Sequence, residues 1–132
     1  MEQDPEMVER TERILRAIRD EYGFVPVVNQ VISERPDMFV PLSTAARAVL
    51  EADGELDKKH RHLCAVAAAA AIGGEYCIDV QMRHAVAAGA TRDEVFEAIM
   101  IGSYMAMTRS QSYALRRFAA NFGIDVDDPV RK

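Results

Sequence analysis

The sequence predicts an all-α domain arranged around a central antiparallel helical hairpin. Three observations point there. Ala-rich and Leu-containing segments outnumber β-branched runs. Pro and Gly fall mostly at the edges of segments with helical periodicity. The stretch LCAVAAAAAIGGEYCIDVQMRHAVAAG, residues 63–89, also sets a Gly-Gly break between two helical runs. A chain of 132 residues suffices for a single domain, expected to span 1–132 with its core at about 22–122 and a loose tail at 124–132.

Asp4-Pro5 reads as an N-cap followed by the first helical position. Val8, Ile14, Leu15, Ile18 and Tyr22 then recur at helical spacing until Gly23. Residues 24–33 form a short helix. Pro36 opens another segment to about residue 51, which Pro41 is expected to break or bend because it lacks an amide proton. Asp53-Gly54 is a turn, and Asp57 caps a helix over 58–72. A second hairpin helix follows from about 75 to 88, with Gly89 as its stop. Thr91-Arg-Asp-Glu94 has the form of a capping box. It starts an apolar helix carrying Val95, Phe96, Ile99, Met100, Tyr104, Met105 and Met107, and a last helix is expected from about 109 to 122.

Charge and composition exclude several classes of function. Charged residues at 28% and apolar residues at 49% are ordinary for a globular chain. A net charge of −5 argues against nucleic acid, which selects a basic face. The basic run Lys58, Lys59, His60, Arg61, His62 reads as a solvated first helical turn, with His60 and His62 exposed. The longest apolar run, residues 63–72, is too short to span a bilayer, and no signal peptide opens the chain. With two cysteines outside any dense framework, the expected location is the cytoplasm.

The hairpin concentrates the residues able to do chemistry. If the turn is centred on residues 73–75, Cys64 and Ala65 face roughly His84 and Ala85 across the pair. Cys77 lies much nearer the turn than Cys64, too far for a disulfide between them. Cys77, Val80 and His84 share one face of the second helix. Cys77 occupies the first turn, where free amides favour an anion, with Glu75 opposing by its own charge. His84 is two turns away, about 10 Å along the axis, so a Cys77–His84 relay needs water, Gln81 or Asp79 between them. No spacing among His60, His62, Cys64, Cys77 and His84 matches a four-ligand metal site, and neither metal nor cofactor is expected.

The order YGFVP, SERPDMF, LDKKHRHLCAVAAAAAIGGEYC, then His84 and AAGATRDEVFEAI, resembles the carboxymuconolactone decarboxylase superfamily, which includes the alkylhydroperoxidase D-like proteins. The likeness covers about residues 22–120 and is clearest from 56 to 100. It implies an all-α bundle with the site on the central hairpin, assembled as trimers or hexamers. In the alkylhydroperoxidase D branch it implies a Cys-x-x-Cys-x-x-x-His site with a relay glutamate on the preceding helix. Laid on this chain, the first cysteine falls on Cys77 and the histidine on His84. The second cysteine falls on Val80, the glutamate near Ala65, and a further histidine on Asp79. In the decarboxylase branch a histidine falls on Gln81.

Three functions follow. The first is a thiol-dependent peroxidase in which Cys77 reacts, His84 assists, and an external or cross-subunit thiol reduces the product; Glu75, Asp79, Gln81 and, less directly, Cys64 are its supporting residues. The second is acid-base chemistry on a small carboxylate or lactone at His84, Gln81, Asp79, Glu75 and Arg83. The third is a non-catalytic oligomer that lacks the dithiol site, a reading that a cavity plugged by bulky side chains would favour. Under each, apolar side chains such as Met100, Tyr104, Met105 and Met107 lead us to expect a homo-oligomer.

Overall fold

A computed structural model describes residues 2–126. Six helices follow in chain order: α1 Pro5–Tyr22, α2 Val27–Ile32, α3 Pro36–Leu50, α4 Lys58–Ile72, α5 Glu75–Ala87 and α6 Arg92–Phe122. Among the described residues there is no strand, and no helix is long and apolar enough to cross a membrane. The expected all-α architecture with its α4–α5 hairpin is therefore present. Most of the expected tail, residues 127–132, lies outside the described residues.

The helix ends are where local chemistry puts them. Asp4 accepts a hydrogen bond from the Glu6 amide at 3.0 Å, and Asp57 accepts one from the His60 amide at 2.9 Å. At α6, Thr91 Oγ1 accepts from the Glu94 amide at 3.1 Å while Glu94 Oε2 accepts from the Thr91 amide at 2.8 Å. Two otherwise orphaned amides are thus satisfied reciprocally. A Thr91→Ala variant should lose about 1 kcal/mol of stability, read as a lower urea midpoint with an unchanged slope.

Two expectations are corrected. Residues 92–122 form one helix instead of two: no Gly or Pro lies between 103 and 122, and the polar run TRSQS at 108–112 stays helical. Thr108 folds its hydroxyl back onto the Met105 carbonyl at 3.0 Å, so it is absorbed by the helix rather than starting a loop. Only Gly123, at φ 66°, supplies the left-handed stop. Likewise Pro41 does not break α3, which continues through it to Leu50. Pro41 is exposed and lies inside the helix, past the first turn, so α3 forgoes one backbone hydrogen bond there without ending.

The hairpin and α6 form the main core. Val66, Ala85, Ala90, Val95 and Ala98 are buried together, with Leu63, Ala67, Met82 and Ile99 packed on them. Small side chains let α4 and α6 approach very closely, and Gly102 of α6 sits directly on the Ala67 backbone. Helix α3 packs on α1 and also meets α2 and α4, and α1 reaches α5. The 51–57 loop between α3 and α4 is tied down by Arg61, whose guanidinium donates to the carbonyls of Ala48 (3.2 Å), Val49 (2.9 Å) and Leu56 (2.8 Å). A cavity opens where α1, α2 and α3 meet the hairpin.

Candidate functional site

The cavity measures about 370 Å³. Its walls are mostly aliphatic, with Ile14, Ile18, Ile32, Leu42, Leu50 and Val80 among them, and Phe39 adds an aromatic face. Polar groups gather in one region: Tyr22 from the end of α1, Arg47 and Glu51 from the end of α3, His62 from α4, and Gln81 and His84 from α5. Cys77 lines the same cavity and is exposed.

The histidines are placed by the hairpin. His62 and His84 are equidistant from Gly73, and their rings meet edge to face with centroids 5.2 Å apart. His84 also stacks on Tyr22, at 3.9 Å between centroids and 24° between planes. The Tyr22 hydroxyl donates a hydrogen bond to Glu51 Oε1. Burial and then this bond to a carboxylate raise the Tyr22 pKa, so the phenol stays protonated. Arg47 Nε lies 4.0 Å from Glu51 Oε2.

Gln81 Oε1 is 3.4 Å from His62 Nδ1. His62 Nε2 and both ring nitrogens of His84 are buried without a hydrogen-bond partner. Three unpartnered imidazole nitrogens beside one cavity is unusual, because buried polar atoms are nearly always paired. Burial pushes the His84 pKa down to about 4, and the neighbouring His62 adds to the effect. Burial lowers His62 as well, against the opposing pull of the Gln81 hydrogen bond. Both rings are therefore neutral at pH 7.

That depression links to stability. Between roughly pH 6.5 and pH 4 the unfolded chain binds a proton that native His84 refuses, so stability rises with pH across this window. The contribution is complete above the ordinary histidine value and lost as pH falls through about 4. Thermal melts from pH 7 to pH 4 should show a steeper fall for the wild type than for His84→Gln.

The structure brings some of the expected residues together and adds others. Cys77, Val80, Gln81 and His84 meet at one cavity. His62, expected to be exposed, is fully buried with a relative exposure of 0%, on the same α4 face as Val66 and Ala69. Offsets of four and three residues were the available signal. His60 is exposed as expected and pairs with Asp57 at 2.7 Å. Cys64 is exposed and does not line the cavity, since it lies two residues from His62 and so about 200° round the helix. His62, rather than Cys64, is what meets His84. Asp79 is exposed and pairs with Arg83 at 3.4 Å, and Glu75 is exposed; neither lines the cavity. Tyr22, Arg47 and Glu51 are site residues that sequence reasoning misses. They come from helix ends far apart in sequence, and nothing local announces their meeting. Both thiols are free, and among the described residues no group of three or more His, Cys, Asp or Glu could hold a metal ion.

The polar side chains of this all-α hairpin protein surround an apolar cavity, the kind of concave, mostly apolar setting in which small-molecule sites are generally built. Residues 36–120 match the carboxymuconolactone decarboxylase family, and the chain belongs to it. The chain is 34% identical over 89 residues to a Paracoccus denitrificans protein named "Uncharacterized protein 4 in cox locus", covering 67% of this chain and 77% of that relative. No solved structure matches the chain.

Proposed function

We propose that this protein is a thiol-dependent peroxidase for small organic hydroperoxides, with Cys77 as the oxidised group. The observation that carries the reading is that an exposed thiol lines the same apolar cavity as two histidines, three of whose ring nitrogens are buried without a hydrogen-bond partner. Aliphatic walls suit the carbon body of a hydroperoxide, and the neutral imidazoles suit its O–O–H head. The Cys77 thiolate attacks the terminal oxygen; the S–O bond forms as the O–O bond breaks, and the leaving alkoxide takes a proton to depart as an alcohol. The sulfenic acid then condenses with an external thiol, releasing water, and a second thiol frees Cys77 as the external disulfide leaves.

Geometry across the hairpin also favours a different placement of the Cys-x-x-Cys-x-x-x-His pattern. Moved three residues earlier, its second cysteine is Cys77, its first is Gly74 and its histidine is Gln81, while the relay position shifts from near Ala65 to His62. The pair that then stands for glutamate and histidine is His62 and Gln81, which face each other at 3.4 Å. A Cβ built on Gly74 would lie 3.6 Å from Cys77 Cβ, within the range of disulfide-bonded cysteines.

Stoichiometric cumene hydroperoxide should convert Cys77, and not Cys64, to a sulfenic acid trapped by dimedone and located by peptide mass. A folded protein whose Cys77 stays reduced would rule the reading out. One observation favours acid-base chemistry as a second reading: His84 is neutral, half-buried and stacked on Tyr22. Turnover retained in Cys77→Ala would select it. The cavity is open rather than plugged, so the non-catalytic reading lacks the support it required. Exposed Phe96, Met100, Ile101, Tyr104 and Met105 along α6 support self-association, and a monomer by light scattering at micromolar concentration would contradict it. Two free thiols fit a reducing compartment such as the cytoplasm.

A further inference from the structure

The tautomer of His62 is set by its partner. In the amide orientation found here the Gln81 carbonyl oxygen faces His62 Nδ1 at 3.4 Å, and because that oxygen can only accept, the contact is a hydrogen bond in the Nδ1–H tautomer. In a neutral ring the other nitrogen is then a bare acceptor. His62 Nε2 is that acceptor, in a side chain with no exposure and with no donor in reach. Neighbouring groups do not supply one. The Tyr22 hydroxyl is engaged by Glu51, and His84, whose two nitrogens are also unpartnered, makes no hydrogen bond to His62.

We propose that the cavity selects uncharged small molecules whose head group donates a hydrogen bond to His62 Nε2, as a hydroxyl or hydroperoxide does, over those offering only an acceptor, such as a ketone or lactone carbonyl. A bound ketone can accept from the single N–H of His84, but it leaves His62 Nε2 without a donor in a buried site. A hydroxyl satisfies His62 and still accepts from His84. Burial holds His62 in the neutral form this requires. The aliphatic walls disfavour a charged ligand. The inference rests on the cavity being the ligand site of the proposed function, but it does not require Cys77 to react.

The test is equilibrium binding of cyclohexanol and cyclohexanone, two rings of nearly equal size, to the full chain at pH 7 by isothermal titration. Cyclohexanol should bind at least about tenfold more tightly. In Gln81→Leu the tautomer is no longer fixed, Nε2 can carry the hydrogen, and the preference should fall below about threefold. Equal affinities in the wild type, saturable binding of neither compound, or an undiminished preference in folded Gln81→Leu would overturn the proposal. Should that variant fail to fold, long-range proton–nitrogen spectra of the wild type decide: an Nδ1–H tautomer at His62 supports it, and an Nε2–H tautomer overturns it. A cyclohexanol preference beside an inert Cys77 would keep this inference and remove the peroxidase reading. A reactive Cys77 with equal affinities would do the reverse.

Discussion

Replacing Gly74 by cysteine should give the protein a reversible disulfide to Cys77 and free its turnover from the external thiol in the resolving step. Gly74 is the N-cap of α5 at φ −80° and ψ 91°, a conformation open to any L residue. A Cβ added there would lie 3.6 Å from the Cys77 Cβ and 3.9 Å from its Sγ. The sulfenic acid on Cys77 would then condense with the introduced thiol, losing water, before a reductant reopens the bond. After one equivalent of cumene hydroperoxide the Gly74→Cys protein should lose two free thiols and keep that of Cys64. Adding Cys77→Ala should drop hydroperoxide turnover by at least about 10³-fold, as expected when a nucleophile is removed. The same substitution in the native background should leave stability within about 0.5 kcal/mol, because Cys77 is exposed. A Gly74→Cys protein that keeps all its thiols after peroxide would show that the thiol at 77 is not the reacting group.

A Gly102→Ala variant should be destabilised although alanine is the better helix former. The propensity gain is about 1 kcal/mol. Against it, the added Cβ would lie 2.0 Å from the Ala67 carbonyl oxygen, 2.7 Å from its carbon and 2.9 Å from its Cα. These are backbone atoms in the middle of α4, so no side chain can swing aside. Helices α4 and α6 must separate, which opens the cluster around Val66 and Ala98. Overpacking of this kind typically costs about 1–3 kcal/mol, and at contacts this close we expect the upper part of that range, a net loss of up to about 2 kcal/mol after the propensity gain, larger for Gly102→Val. Urea unfolding checks the sign. An unchanged or raised midpoint for Gly102→Ala would mean that the two helices are not held at this separation.

Helix ends were legible in the sequence because each has a local chemical cause. Asp57, the Thr91–Glu94 box and the left-handed glycines at 23, 73, 89 and 123 each mark a boundary whatever packs above it. The unbroken α6 was not legible, since a run such as TRSQS suits a loop as well as an exposed helical face. At the site, the α5 positions could be read from spacing on one helix. His62 was obscured by its cationic neighbours, although its register with Val66 and Ala69 marks the buried face. Tyr22 and Glu51, separated by 29 residues, meet only through the packing of α1 on α3.

The Arg61 clamp has reach beyond the loop it fastens. By bonding the last carbonyls of α3 to the start of α4, it joins the helix end beside Glu51, the partner of Tyr22, to the helix that carries His62. Gly54 is part of the same fastening: a side chain there would meet the guanidinium at 2.3 Å. A surface connection that contributes nothing to the chemistry thus acts as the gauge of the chamber, and changing its length by one residue would be felt at the imidazoles.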